Sequence, residues 1–289
     1  MSQATTRIGE QPVASSGEFT LGDLTVRRLG FGAMRITGRG IWGEPANRKE
    51  CIRVLRRALE LGVNLIDTAD AYGPEVSENL IAEALYPYPP GLVIATKGGL
   101  MRSGPDQWYP DGRPDHLREA LEGSLKRLRL ERIDIYQFHR PDPKVPFEES
   151  VGTLAELQKA GKIRHIGLSN VDAKELDAAR KIVPIVSVQN RYNLTDRASD
   201  SLVDICERAS MGFIPWFPLA VGALARSGGK LDKIAQAHHA APSQIALAWL
   251  LKRSPAMLPI PGTSSVEHLE EDAAAATIKL TDEEFAALR

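Results

Sequence analysis

The sequence is poor in cysteine and carries almost no net charge. Only two cysteines occur among 289 residues, Cys51 and Cys206, and neither lies in a C-x-x-C or other metal-ligand spacing. No disulfide framework and no metal site is therefore predicted. Lysine and arginine total 36 against 37 aspartates and glutamates, which is not the basic excess typical of proteins that bind nucleic acid or anionic membranes. We expect small-molecule partners, with no nucleic acid and no membrane.

Long apolar segments are also missing. The N-terminal stretch MSQATTRIGEQPVASSGE lacks the apolar core of a signal peptide, and no run reaches the roughly 18 uninterrupted apolar residues of a membrane span. These features predict a cytoplasmic protein. Residues 1–17 are polar and without periodicity, which predicts a flexible tail before a single domain at residues 18–289. Hydrophobic residues still make up 43% of the chain, which excludes wholesale disorder.

The chain instead shows a repeated alternation of short apolar runs and amphipathic stretches. Residues 18–21 and 25–28 flank a Gly-Asp turn and predict a β-hairpin. From Gly30 onward, apolar runs alternate with stretches of helical period, and we count eight predicted strands. This pattern favours an α/β fold of the (β/α)8 TIM barrel type. A doubly wound sheet is the alternative, but the G-x-G-x-x-G turn expected after its first strand is not present.

The predicted strands end on polar or aromatic residues, in the motifs NLIDTADAYG, VIATKGG, IYQFHRPD, HIGLSN, SVQNRYN and FIPWFPL. The residues at these ends are Asp67, Tyr72, Lys97, His139, Asn170, Gln189 and Trp216. Because a barrel delivers the carboxyl ends of all its strands to one face, these side chains are expected to converge there. Each of them alone has an ordinary structural explanation, as a turn former, a packing residue or a solvated loop residue. Their joint position favours an active site.

The chemistry of such a site follows from proton affinities. A tyrosine hydroxyl has a pKa near about 10, and a neighbouring ammonium group favours the phenolate. We therefore expect Lys97 to lower the pKa of Tyr72 and Asp67 to hold Lys97 charged. His139 is expected to hydrogen-bond a substrate carbonyl and direct it toward the tyrosine. Such an acid suits hydride addition to C=O, and the hydride must come from a cofactor because side chains cannot supply one.

From about Phe19 onward the chain resembles the aldo-keto reductase superfamily. NLIDTADAYG, VIATKGG, IYQFHRPD, KIRHIGLSN, VQNRYN and IPGTSS occur in the order and spacing of that family. The resemblance implies a (β/α)8 barrel whose N-terminal hairpin caps the barrel bottom. It also implies a catalytic tetrad of Asp67, Tyr72, Lys97 and His139 that reduces aldehydes or ketones to alcohols, with Tyr72 as the proton donor.

The resemblance further implies a nicotinamide cofactor. Its carboxamide is expected on Ser169, Asn170 and Gln189, with Trp216 stacked on the ring. The other expected cofactor contacts are Gly32, Met34, Phe217, Pro218, Leu219, Gly262, Thr263, Ser264, His268, Glu271 and Asp272, and the expected substrate-pocket residues are Trp42, Trp108 and Phe217. The loop 217–229 and the GTSS segment are expected to hold phosphate groups. NADPH is the expected cofactor and NADH is possible, because Gly262 and His268 replace a lysine and an arginine that bind phosphate in relatives.

Two alternative functions remain open at this point. One is a barrel enzyme of the aldolase type, in which Lys97 forms a Schiff base with the substrate. The other is a regulatory barrel that binds NADPH with little or no turnover, as in the potassium-channel β subunits within the superfamily. The four polar residues at the strand ends favour turnover over the second alternative.

Overall fold

The structure is a computed structural model of the chain and describes residues 11–219 and 229–288. Its strands are, in chain order, β1 (Glu18–Leu21), β2 (Leu24–Arg27), β3 (Phe31–Gly32), β4 (Leu65–Asp67), β5 (Val93–Gly98), β6 (Leu100–Gly104), β7 (Gln107–Pro110), β8 (Ile133–Phe138), β9 (Ile163–Ser169), β10 (Ile185–Arg191) and β11 (Gly212–Trp216). Its α-helices are α1 (Arg48–Glu60), α2 (Val76–Leu85), α3 (Pro114–Leu128), α4 (Phe147–Lys159), α5 (Ala173–Arg180), α6 (Asp200–Arg208), α7 (Lys230–Ala237), α8 (Pro242–Arg253), α9 (Val266–Ala274) and α10 (Asp282–Ala287). The predicted α/β class is confirmed.

Seven parallel strands form the central sheet, in the order β11-β10-β9-β8-β5-β4-β3. The extended segment 256–261 lies between its two outer strands. Phe213 of β11 exchanges two backbone hydrogen bonds of 2.8 Å with this segment, and Gly32 of β3 donates one of 3.1 Å to the Pro261 carbonyl. The segment thus occupies the place of the predicted eighth strand. Pro259 and Pro261 have no N–H to donate, which explains why its pairing is irregular.

The hairpin β1–β2 packs where the sheet strands begin. Leu21 and Leu24 belong to a buried apolar cluster that also contains Leu65 and Val93, the first residues of β4 and β5. A Cβ atom on Gly212, the first residue of β11, would lie 2.6 Å from the Leu21 side chain. A side chain at this position would displace the Leu21 side chain, so glycine lets the hairpin approach the sheet this closely.

Order begins earlier than the predicted tail boundary at residue 17. Pro12–Ser16 form a 3-10 helix, in which the Val13 side chain is fully buried and its N–H donates to the Leu61 carbonyl at 3.3 Å. One buried valine within a polar stretch produces no periodic pattern, so sequence periodicity does not reveal this contact.

The helices surround the sheet. Contacts run from α1 through α2, α3 and α4 to α5, then from α7 through α8 to α9, and α9 packs back against α1. Amphipathic patterning explains this placement: α1 buries Cys51, Val54, Leu55 and Ala58, which recur at intervals of three or four residues. Within the described ranges, every helix is too short or too polar to cross a bilayer.

Candidate active site

A cavity of about 430 Å³ opens at the carboxyl ends of the barrel strands. The predicted site residues that line it are Gly32, Met34, Asp67, Tyr72, Trp108, His139, Ser169, Asn170, Gln189, Trp216, Phe217, Pro218, Leu219 and Gly262. Arg35, Ile41, Leu100 and Arg140 are among its other lining residues. The parallel register explains the convergence, because it places strand ends such as Gly32 and Asp67 side by side.

One predicted catalytic residue, Lys97, and one predicted substrate-pocket residue, Trp42, lie outside the lining for different reasons. Lys97 is completely buried beneath the cavity floor, where its ammonium contacts Asp67 and Tyr72. Trp42 precedes α1, is 37% exposed, and has its ring 5.7 Å from the Arg102 guanidinium. Trp108, in contrast, faces the cavity.

The Lys97 ammonium is the centre of the polar cluster. Its Nζ donates to Asp67 Oδ1 at 2.5 Å, to the Thr68 carbonyl at 2.7 Å and to Tyr72 Oη at 3.3 Å. These three bonds use all the donors of a lysine ammonium. Burial by itself lowers the pKa of Lys97, but the charges and hydrogen bonds of Asp67 and Tyr72 outweigh burial and raise it. Lys97 is therefore positively charged at neutral pH.

The direction of the Tyr72 pKa differs from the expectation based on Lys97 alone. Burial raises the pKa of the Tyr72 hydroxyl above its ordinary value, and the Lys97 charge opposes this effect without overcoming it. The hydroxyl is therefore a neutral phenol at neutral pH. Because Lys97 donates to Tyr72 Oη, the proton of the hydroxyl itself remains free for another acceptor.

His139 lies beside the tyrosine with a neutral ring. The two ring centroids are 5.9 Å apart and the rings are nearly perpendicular. Burial, together with the charges of Lys97 and Arg140, holds the pKa of His139 well below its usual range. Its Nδ1 atom is buried and has no hydrogen-bond partner among the described residues. A neutral imidazole keeps one N–H, which can donate to a carbonyl oxygen in the cavity.

Gln137 belongs to this cluster and was not predicted from the sequence. Its amide donates to Asp67 Oδ2 at 2.8 Å, and the Gln189 amide donates to the same oxygen at 2.8 Å. The Asp67 carboxylate thus contacts Lys97 through one oxygen and two amides through the other. The available signal was a polar residue among the apolar residues near the end of the run IDIYQF, since such a side chain needs a buried partner.

A second group of polar side chains lines the opposite part of the cavity. Asn170 has a left-handed backbone, with φ of 58°, and donates from its amide to the His139 carbonyl and to Ser169 Oγ, each at 3.0 Å. The Trp216 indole N–H donates to Asn170 Oδ1 at 3.2 Å, which fixes the plane of the indole. Within residues 11–219 and 229–288, the Ser169 hydroxyl has no acceptor and the Gln189 carbonyl oxygen has no donor, and both residues line the cavity.

Two glycines, Gly32 and Gly262, also line the cavity. A Cβ on Gly262 would lie 2.2 Å from the Gly32 carbonyl oxygen, and a Cβ on Gly32 would lie 2.6 Å from the Ile260 carbonyl oxygen. Backbone atoms cannot move aside as a flexible side chain can. Both positions therefore require glycine, and the backbone itself forms this part of the cavity wall.

Several predicted cofactor contacts lie beyond the cavity lining. These are Thr263, Ser264, His268, Glu271 and Asp272. Ser265 caps α9, and the N–H of Val266 already donates to the Glu50 carboxylate at 3.1 Å, so one amide at this helix start has an anionic partner. Burial raises the pKa of Asp272 to about 7, with a smaller contribution from the Glu271 charge. Residues 220–228 of the predicted phosphate loop lie outside the described residues.

Known proteins are similar to this chain in sequence and in fold. Residues 28–289 match the model of the Aldo/keto reductase family. An uncharacterized oxidoreductase of Schizosaccharomyces pombe, C215.11c, is 52% identical over 275 residues, which cover 95% of this chain and 90% of that protein. Pyridoxine 4-dehydrogenase of Escherichia coli is 44% identical over 281 residues, covering 95% and 98% of the two chains.

A solved structure adds a bound cofactor to the comparison. The aldo-keto reductase of Klebsiella pneumoniae in complex with NADPH superimposes with a TM-score of 0.77 at 27% identity, over 91% of this chain and 90% of that one. The family match extends over the strand ends that form the cavity and over the glycines beside it. The chain belongs to the Aldo/keto reductase family.

Proposed function

We propose that this chain catalyses the NADPH-dependent reduction of an aldehyde or ketone to an alcohol, with Tyr72 as the proton donor. One observation carries the proposal: the neutral Tyr72 phenol faces the cavity while a buried, charged lysine lies 3.3 Å behind its oxygen. When Tyr72 gives up its proton, the Lys97 ammonium stabilises the phenolate that forms. The N–H of neutral His139 orients the carbonyl oxygen toward that proton.

The residues of the cavity fit a nicotinamide cofactor. The Ser169 hydroxyl and the Gln189 carbonyl oxygen, which have no other partner in the described part of the chain, supply the donor and acceptor that a carboxamide needs. Trp216, with its indole plane fixed by Asn170, offers a flat surface for an aromatic ring. The glycine-lined wall at Gly262 permits close approach of a ligand to the backbone. When bound, the nicotinamide supplies the hydride that no side chain can supply.

The residues expected to bind the phosphate groups of the cofactor match those of relatives less well than the residues expected to bind the nicotinamide. His268 and Gly262 stand where a phosphate-binding arginine and lysine were expected from relatives, and Glu50 places a carboxylate at the start of α9. A carboxylate there repels a phosphate group. The NADPH-bound Klebsiella relative supports NADPH as the cofactor, and because of these replacements we propose that its preference over NADH is only modest. Titration of each cofactor against tryptophan fluorescence measures this, and an NADH affinity more than about tenfold higher than the NADPH affinity would overturn it.

The structure disfavours the aldolase alternative. A Schiff base requires a neutral amine that can reach the substrate. Lys97 is instead fully buried and charged, and its ammonium already donates three hydrogen bonds. The regulatory alternative is distinguished by turnover, since a regulatory protein would bind NADPH without oxidising it.

Pyridoxal is the first substrate that we propose to test. The Escherichia coli relative is named for pyridoxine, and pyridoxal is the aldehyde at carbon 4 of that molecule. Apolar side chains of Ile41, Leu100 and Trp108 line the cavity beside Tyr72, which suits a flat aromatic aldehyde. Short aliphatic aldehydes and ketones belong in the same panel, because they need only Tyr72 and His139.

The decisive experiment replaces the phenol. Tyr72→Phe removes the proton donor and should lower kcat by roughly 10²–10⁴-fold with NADPH affinity unchanged. Tyr109→Phe is the matched control, because Tyr109 is 44% exposed and lies outside the cavity lining. Carbonyl reduction is followed by the loss of NADPH absorbance. If Tyr72→Phe reduces the carbonyl at the parent rate, Tyr72 is not the proton donor.

A further inference from the structure

Arg102 is a buried cation outside the catalytic cluster, on strand β6. Only 8% of its surface is exposed, and no carboxylate in the described part of the chain forms an ion pair with it. Burial lowers the pKa of its guanidinium, with partial compensation from the Asp106 charge. A buried charge without an ion pair is costly unless polar groups satisfy all of its donors.

Backbone carbonyls satisfy every donor of this guanidinium. Its Nε donates to the Gln107 carbonyl at 3.1 Å. One terminal nitrogen donates to the carbonyls of Ile41 and Ala71, and the other donates to those of Gly40 and Gly104. An arginine has five N–H donors, and all five have partners here.

These five carbonyls come from three separate segments around the mouth of the cavity. Gly40 and Ile41 lie in the loop before α1, Ala71 directly precedes Tyr72, and the remaining two belong to the β6–β7 hairpin. The guanidinium carbon also lies 3.6 Å from the centroid of the Trp108 ring, in a stacked cation–π contact.

The same indole also contacts Tyr72 of the catalytic cluster. The Trp108 and Tyr72 rings meet edge to face with centroids 6.4 Å apart, and Trp108, Ile41 and Leu100 all line the cavity. This wall stands on the side of Tyr72. It is separate from the Ser169, Gln189 and Trp216 group assigned to the nicotinamide.

We infer that Arg102 is a positioning residue that holds the substrate-facing wall of the cavity rigid, acting through Trp108 and Ile41. The inference rests on the proposed carbonyl reductase function and names how that site selects among carbonyl compounds. A bulky aromatic substrate needs the indole at a fixed angle, because its ring packs against this wall. A short aliphatic aldehyde does not reach the wall. Besides the Arg102 bond to the Ala71 carbonyl, Tyr72 has two anchors that do not involve Arg102: the Lys97 ammonium, and the bond from its own N–H to the Ala69 carbonyl at 3.2 Å.

Arg102→Lys is the direct test. Lysine keeps the charge but has only three donors and no planar group to stack on an indole. For pyridoxal, kcat/KM should fall at least about tenfold through a higher KM, while for propanal it should fall less than about threefold. The NADPH dissociation constant from tryptophan fluorescence should stay unchanged. Arg56→Lys is the matched control, since Arg56 is an exposed arginine that also donates to a backbone carbonyl.

A double-mutant cycle tests the route through the indole. Trp108→Leu removes the stacked ring and leaves the hydrogen bonds of Arg102 in place. It should reproduce the selectivity change, and the double variant should lose little more than either single variant. Trp108→Leu also keeps the inference falsifiable if Arg102→Lys does not fold. Isothermal titration of pyridoxine into the NADP-loaded protein gives a readout without turnover, and both variants should weaken this binding about tenfold.

The outcomes separate this inference from the proposed function. Equal losses for pyridoxal and propanal, or unchanged kinetics in both variants, would show that Arg102 is merely structural or irrelevant and would overturn the inference. Failure of the parent chain to reduce any carbonyl would overturn the proposed function. In that case pyridoxine binding still decides the role of Arg102, and binding that is absent or insensitive to both substitutions refutes it.

Discussion

The buried pair of Lys97 and Asp67 makes a prediction in which stability and pH dependence can be worked out together. Asp67→Asn removes the only carboxylate that Lys97 contacts within the described residues while keeping the size of the side chain. The two side chains are 0% and 2% exposed, so water cannot replace the lost partner. Breaking a buried pair in this way costs about 3–5 kcal/mol in the free energy of unfolding. A loss of this size should appear in urea unfolding near neutral pH.

The way in which stability depends on pH has opposite sign in the parent and in the Asp67→Asn variant. In the parent the pKa of Lys97 is raised, so the stability it contributes is fully present below the unfolded lysine pKa and is lost as pH rises through the folded pKa. In the variant, burial acts without an opposing carboxylate and lowers the pKa of Lys97. The unfolded variant then binds more protons than the folded one, and its stability rises by up to about 1.4 kcal/mol per pH unit.

The difference in the free energy of unfolding between parent and variant should therefore become smaller between about pH 7 and about pH 9. Asp282→Asn is the control, because it breaks an exposed ion pair with Lys252 and should change stability far less. We also expect kcat of Asp67→Asn to fall by roughly 10²-fold, since a neutral lysine cannot stabilise the Tyr72 phenolate. A deficit below about 1 kcal/mol, or one that does not change with pH, would refute the assignment of a charged Lys97 held by Asp67.

Two further predictions concern other parts of the chain. Gly262→Ala should lower the unfolding temperature and weaken NADPH binding in fluorescence titration, because its Cβ would lie 2.2 Å from the Gly32 carbonyl oxygen. The control Gly152→Ala lies inside α4 with open space around it and should raise the free energy of unfolding by about 1 kcal/mol. Equal effects of the two substitutions would contradict the assignment of Gly262 to the cavity wall. Because burial raises the pKa of Asp272 to about 7, the parent should lose stability as pH rises from the unfolded aspartate pKa toward about 7, and Asp272→Asn should abolish that slope in urea unfolding. A slope that persists in the variant would assign it to another group.

Local pattern was sufficient for the fold class and for much of the site. The alternation of apolar runs and amphipathic stretches predicted parallel strands with helices outside them. Once that class is known, Asp67 and Lys97 must lie at neighbouring strand ends, because parallel strands all point the same way. Eight strands were predicted, and the segment 256–261 stands in the place of the eighth, where its prolines leave it hydrogen-bonded on both sides but irregular.

Contacts between segments far apart in the chain could not be predicted from the sequence. Gln137 is one polar residue in an apolar strand, and only the packed barrel shows that its amide meets Asp67. The sequence analysis did not single out Arg102, and only the fold encloses it among carbonyls from three segments. The Tyr72 pKa depends on a balance between burial and the Lys97 charge, and burial is a property of the tertiary structure.

The sequence by itself predicted the alternation of parallel strands and helices, but not the β6–β7 hairpin, and it predicted which polar residues stand at the strand ends, since periodicity and turn residues act over a few positions. Tertiary structure alone decided which of those residues touch, how deeply Lys97 is buried, and which side chains support the cavity wall. The physical reason is that hydrogen bonds and desolvation depend on distances of a few ångströms between groups far apart in the chain, and folding sets those distances.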